Sequence, residues 1–125
     1  MPKTEVVIYC EPDGTAPFLN WFAKLPEKVQ DKILVRIERL KKLGHELRRP
    51  EADYLRDEIY ELRVKAQAVN YRVLYFFHGR QLVILSHGFS KQQAKVPGIE
   101  IRSAIQRLTN FKQSPSRHTY KESKR

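Results

Sequence analysis

The spacing of apolar residues changes near the middle of the chain, and this change restricts the folds that the chain can adopt. Up to Gly44 most apolar residues recur at helical intervals, whereas from Ile59 onward they alternate with polar ones. Helices and strands in separate segments are typical of an α+β domain. We therefore predict a single α+β domain that has an antiparallel sheet with helices packed on one face.

The predicted order of elements is β-α-α-β-β-β-α. Turn residues after Cys10 end the first strand, Pro26 opens the second helix, and Pro97 opens the last. A polar connection over 45–57 precedes the three later strands, which are expected to form a meander. The predicted elements span 5–10, 16–24, 26–44, 59–64, 71–77, 81–89 and 97–108.

Two parts of the chain differ in composition. Residues 1–108 carry the periodic segments and are predicted to form the domain, whereas residues 109–125 are basic and contain few apolar side chains. A segment of that kind has little to bury. We predict that it is a flexible C-terminal tail.

The charge of the chain suggests a polyanionic partner. Lysine and arginine number 24 against 14 acidic residues, which gives a formal net charge of +10. Such an excess favours nucleic acid, although solubility alone would also explain it. The positions of the cations along the chain are therefore needed to distinguish nucleic-acid binding from solubility.

Several classes of site are absent from the sequence. Cys10 is the only cysteine, so intramolecular disulfides and cysteine-rich zinc sites are excluded. No histidine pair has metal-ligand spacing, and no phosphate-loop or dinucleotide motif occurs. There is also no long apolar run and no secretory signal. We predict a cytoplasmic protein without metal, small-molecule cofactor or membrane contact.

Two arginines stand out on the predicted sheet. Strand alternation places Arg63 on the same face as Glu61, and it places Arg72 within an otherwise apolar strand. An arginine keeps its proton in a protein, so a buried one needs an anionic partner. Either Glu61 supplies that partner internally, or the two arginines converge on a phosphate group of a ligand.

The motifs around these arginines resemble a known family. They are YELR at 60–63, YRVLY at 71–75, HGFSK at 87–91 and PGIEI at 97–101. The chain resembles the RelE/ParE toxin superfamily, and within it the HigB-like, phage-derived group, over residues 5–108. This resemblance implies a RelE-like fold and the toxin of a type II toxin–antitoxin system. Such toxins cleave messenger RNA on the translating ribosome, and an acidic helix-turn-helix antitoxin silences them.

The resemblance also implies which basic positions matter. Glu58 replaces a glycine that commonly precedes YELR in the group, and Gln92 replaces the second of two consecutive lysines. The family's basic positions that this chain keeps are Arg63, Arg72, Lys91 and Lys95.

The chemistry of RNA cleavage suggests a role for each candidate. Attack by the 2′-hydroxyl requires a base, cations around the phosphate and an acid for the leaving oxygen. Arg63 and Arg72 are expected to hold the phosphate charge, and Lys91 to contact the phosphate or act as base. His87 is the candidate proton carrier, unless it is a hydrogen-bonded structural residue. The candidate RNA-binding residues are Tyr71, which could instead pack in the core, and Lys65 and Lys95, which could be surface charges.

Two other classes of function stay open at this point. A ParE-like toxin of the same fold would inhibit DNA gyrase by binding, and a regulatory protein would bind nucleic acid without catalysis. Shared folds do not decide function. A convergent cationic cleft favours the nuclease, because a toxin that only binds protein does not need one.

Overall fold

The computed structural model describes residues 4–91 and 95–121, which form a five-stranded mixed sheet with helices. Gln92 and the last four residues of the predicted tail lie outside the described residues. The elements are β1 (Glu5–Ile8), α1 (Pro17–Phe22), α2 (Glu27–Leu43), β2 (Ala52–Arg56), β3 (Ile59–Ala66), β4 (Val69–His78), β5 (Leu82–Lys91) and α3 (Gly98–Gln113), with 3-10 turns at Gly44–Glu46 and Pro115–His118.

The sheet has the strand order β1-β5-β4-β3-β2 and differs from the prediction in two ways. β1 runs parallel to β5, so the sheet is not wholly antiparallel. A tight hairpin would force antiparallel pairing, but β1 and β5 are far apart in the sequence. The long connection between them, which begins with α1 and α2, permits parallel pairing. In addition, β2 forms within the segment predicted to be a connection and pairs antiparallel with β3, so the meander has four strands.

Helices cover both faces of the sheet, which corrects the prediction of one covered face. Val73 and Tyr75 of β4 face a core built with α1 and α2. Leu74 and Phe76 of the same strand face a second core built with α3. Because β4 is apolar on both sides, burying it requires cover on both sides. The face under α3, which we call the α3 face, also carries the predicted site.

The segment after residue 108 packs against the domain, at least as far as Tyr120, whose backbone N–H donates to Ile8 O, and is not a loose tail. α3 continues to Gln113, and Phe111 is buried in the core under it. His118 is buried as well, and its ring stacks on Tyr9 with the centroids 5.1 Å apart. The spacing of Ile101, Leu108 and Phe111 continues one helical face, and this is the signal that the sequence prediction missed.

Candidate nucleic-acid interface

A buried ion pair joins two neighbouring strands of the α3 face. Arg72 Nε of β4 lies 2.9 Å from Glu61 Oε1 of β3, and the side chains are only 5% and 6% exposed. Arg63 lies directly opposite Arg72 in the strand register, and its Nε is 3.9 Å from Glu61 Oε2. Arg72 therefore has an internal carboxylate partner, as one of the two sequence interpretations required. The expectation that both arginines point at a ligand phosphate is not met for Arg72.

The environment of Arg72 is buried and strongly charged. Burial lowers the pKa of Arg72, the carboxylate of Glu61 raises it, and the neighbouring charge of Arg63 lowers it again. The Nε and Oε1 atoms are close but poorly aligned, and neither makes a hydrogen bond within 4–91 and 95–121. A guanidinium stays protonated even so. The pair therefore acts mainly through charge, beneath a more exposed Arg63.

Arg63 stands between two cavities that open on either side of it. The first, of about 510 Å³, is the cationic pocket: it has Glu61 in its lining and five basic residues around it. The second, of about 290 Å³, brings together Arg63, Lys65 and Arg72. Lys65 does not line the cationic pocket. The basic residues of the cationic pocket are Arg49, Arg56, Arg63, Lys91 and Lys95.

Lys91 ends β5 at the border of the cationic pocket and is 8% exposed. Burial lowers the pKa of its ammonium group, and so does the charge of Arg72. Glu61 opposes this shift, while Arg63 adds to it. A lysine with a lowered pKa can more readily take part in proton transfer near neutral pH.

His87 lies on the α3 face but lines none of the pockets described here. Its Nε2 is 2.9 Å from Glu100 Oε1, and its Nδ1 is 2.9 Å from Arg107 Nη1. Arginine can only donate, so Nδ1 accepts and the proton of the neutral ring sits on Nε2, facing Glu100. The structure thus places His87 in a network with α3 and not among the cations of the pocket.

This network predicts a pH-dependent stability. Burial lowers the pKa of His87, Glu100 opposes the shift, and Arg107 adds to it. The unfolded chain then binds the proton more readily than the folded chain. The free energy of unfolding is therefore highest above the pKa of the unfolded chain, and it falls as the pH drops below about 6.5. In His87→Gln, urea unfolding is expected to lose this part of the acid sensitivity. Equal pH profiles for the two proteins would contradict the assignment.

Tyr71 lies on the opposite face of the sheet from Arg72. Its ring centroid is 6.3 Å from that of Trp21 of α1, and it packs against the core formed with α1 and α2. The interpretation of Tyr71 as a core residue is therefore the one that the structure supports. Tyr71 is not part of the cationic pocket.

The sequence analysis missed the contribution of β2. Arg56 and the nearby Arg49 line the cationic pocket, and Arg49 Nη2 is 2.8 Å from Asp53 Oδ2. The sequence signal for this strand is weak, because Tyr54 and Leu55 are adjacent apolar residues and the register shifts between Tyr54 and Arg56.

Two further features bear on the kind of protein. Within the described ranges, no group of three or more histidine, cysteine, aspartate or glutamate side chains is placed to hold a metal ion. None of the helices in the same ranges has the length and apolar character needed to cross a membrane.

Comparison with known proteins identifies the class of this α+β domain. The chain belongs to the family described as phage derived protein Gp49-like (DUF891), whose model matches residues 20–109. It is similar to the probable endoribonuclease HigB1 from two strains of Mycobacterium tuberculosis. Each is 31% identical over 102 residues, which cover 82% of this chain and 79% of the relative. The predicted membership of the phage-derived, HigB-like group is thereby confirmed.

Proposed function

We propose that this protein is the toxin of a type II toxin–antitoxin pair and cleaves messenger RNA on the ribosome. The observation that carries the proposal is the cationic pocket, in which Arg63 and Lys91 border a buried Glu61–Arg72 pair. A phosphate in such a pocket would meet five basic side chains and two carboxylates, those of Asp53 and Glu61. The name of the relative, a probable endoribonuclease, supports the same reaction class.

The proposed reaction uses side chains and solvent water. Lys91 in its neutral form accepts the proton of the 2′-hydroxyl, and the 2′-oxygen attacks the adjacent phosphorus. The bond from phosphorus to the 5′-oxygen breaks, which leaves a 2′,3′-cyclic phosphate, and the 5′-oxygen takes a proton from solvent. Arg63 stabilises the charge on the phosphoryl oxygens. The chemistry requires no metal ion, since these groups supply the base and the positive charge.

The remaining residues have supporting roles in this proposal. Arg72 does not contact the phosphate but holds Glu61 and adds positive charge beneath the pocket. Lys95 contacts the RNA backbone from the border of the cationic pocket, and Lys65 does so from the neighbouring cavity. His87 fixes α3 against β5 through Glu100 and Arg107.

The proposed partners follow from the same assignment. The ribosome and messenger RNA are the targets, and an acidic helix-turn-helix antitoxin neutralises the toxin in the cytoplasm. The net charge of +10 suits both an RNA surface and an acidic protein. A gyrase-binding toxin and a non-catalytic regulatory protein are the competing functions for the test below.

Mapping the 5′-ends of messenger RNA in translating cells tests the proposal. Cells that express the wild type are expected to accumulate cuts inside coding regions. Arg63→Ala should reduce cutting by about 100-fold, because it removes a donor that stabilises transition-state charge. The matched control is Arg117→Ala, which removes an exposed arginine that lines no pocket described here and should leave the cuts unchanged.

Three outcomes would contradict parts of the proposal. Intact messages together with arrested DNA gyrase would favour the ParE-like function. Cleavage of purified messenger RNA at the same rate with and without ribosomes would remove the ribosome dependence. Loss of cleavage after a metal chelator is added, under conditions in which the ribosomes are shown to stay intact, would contradict the metal-independent mechanism.

A further inference from the structure

A second large cavity lies at the other end of the meander, next to the turn between β4 and β5. Its volume is about 640 Å³, and most of its lining is aromatic. We call it the aromatic pocket. It is lined by five rings, those of His45, Tyr54, Tyr60, Phe77 and His78, and by Glu58, Gly79 and Lys112.

The rings are packed against one another but leave an exposed aromatic surface. His45 stacks on Phe77 with the centroids 3.5 Å apart and the planes inclined by 14°. Tyr54 meets Tyr60 edge to face at 5.1 Å, and Tyr54 is still 50% exposed. Aromatic side chains that remain exposed in a cavity can stack on a flat ligand.

The aromatic pocket adjoins the cationic pocket. Tyr54 lines both cavities. On β3, Tyr60 and Arg63 are three positions apart, so their side chains lie on opposite faces of the sheet, and the two pockets meet at Tyr54 of the edge strand β2. A single ligand that is extended, anionic at one point and aromatic at another would contact both pockets.

The border of the aromatic pocket also carries an exposed ion pair. Lys112 Nζ is 3.7 Å from Glu58 Oε1, and both side chains are more than half exposed. An exposed pair of this kind is weak and exchanges readily with other charges. Lys112 therefore supplies a cation that a second phosphate could contact near the rings, in competition with the carboxylate of Glu58.

From this arrangement we infer that the aromatic pocket binds an unstacked base of the RNA strand whose phosphate occupies the cationic pocket. The inference rests on the proposed function for the identity of that strand. Single-stranded RNA supplies both parts of the ligand, since bases stack on aromatic side chains while cations hold the backbone. An aromatic side chain of a protein partner would fill the rings but would leave the adjoining cations unused.

The test measures binding separately from cleavage. The purified full-length protein is titrated with a short single-stranded RNA in which every 2′-oxygen is methylated, so that it cannot be cut. One base is 2-aminopurine, whose emission falls when it stacks on a ring. Wild-type protein is expected to bind this RNA at low salt and to quench the emission.

Variants of Tyr54 separate stacking from charge. Tyr54→Ala is expected to weaken binding by about 5- to 100-fold and to relieve the quenching, because base stacking on a ring is lost. Tyr54→Phe keeps the ring and should bind within about 2-fold of wild type. Neither variant should change the salt dependence of the affinity, whereas Arg63→Ala should reduce it.

A matched control is Val35→Ala, which truncates an apolar residue that is 63% exposed on α2 and should have no effect on binding. Thermal melting of all variants checks that they are folded. Wild-type affinity and quenching in folded Tyr54→Ala would overturn the inference, and so would a wild type that does not bind the RNA. If Tyr54→Ala instead keeps RNA binding but no longer binds a co-expressed antitoxin, the aromatic pocket is a protein-binding site and the inference is wrong.

The two proposals fail in different ways. Tight binding that depends on Tyr54, without any cleavage of messenger RNA in cells, would retain the base-binding pocket and reject the nuclease. Cleavage that depends on Arg63 but not on Tyr54, with unchanged binding in Tyr54→Ala, would retain the nuclease and reject the pocket.

Discussion

Replacing Glu61 by glutamine is expected to lower the free energy of unfolding by about 3–5 kcal/mol. Both side chains of the Glu61–Arg72 pair are almost wholly buried. Glu61→Gln keeps the shape of the side chain but removes its charge, so that the buried guanidinium of Arg72 loses its nearest counter-charge. Arginine cannot escape this cost by losing its proton. Urea unfolding, followed by the emission of the single tryptophan, measures the change.

Two controls show whether burial causes the effect. Glu51→Gln breaks contacts with Arg39 at 2.9 Å and Arg36 at 3.6 Å, but these pairs are more exposed, and the expected loss is at most about 1 kcal/mol. The double variant Glu61→Gln with Arg72→Met removes both buried charges and should recover most of the lost stability. Equal losses for Glu61→Gln and Glu51→Gln would show that the Glu61–Arg72 pair is solvated.

Strand alternation was enough to predict the face on which the arginines lie. Arg63 and Glu61 share a face because successive side chains of a strand alternate, and this depends on local sequence only. The same rule separated Tyr71 from Arg72. What alternation does not supply is the partner of each charge. The choice between Glu61 and a ligand phosphate for Arg72 depended on how β3 and β4 align.

Contacts between distant segments account for the predictions that were wrong. Of the two interpretations of His87, the structure supports the hydrogen-bonded one, because Glu100 and Arg107 contact it from α3. No local pattern specifies which side of the sheet α3 covers. The parallel pairing of β1 is likewise a non-local choice. β2 was missed because Asp53 and Arg56 make it look like a polar connection, although polar residues are common on edge strands.

Replacing Lys91 by arginine is expected to reduce RNA cleavage by about 100- to 10,000-fold, which is the range for loss of a general base. The positive charge is kept, but a guanidinium cannot become the neutral proton acceptor that the proposed mechanism needs. If Lys91 only contacts the phosphate, the same variant should retain most of the activity. Single-turnover cleavage of messenger RNA on programmed ribosomes measures the rate.

The pH dependence of the same reaction gives a second, independent reading of Lys91. A base acts in its deprotonated form, so the wild-type rate should rise with pH and level off above the pKa of Lys91, which burial and the charges of Arg72 and Arg63 lower. This rise should be absent from the residual activity of the arginine variant. Lys95→Arg, at an exposed lysine of the same pocket, is the matched control and should keep both rate and profile. Because Lys91 is buried, melting curves must show that its variant is folded. A folded Lys91→Arg protein with wild-type rate and pH profile would assign the base to another group and leave Lys91 as a phosphate contact.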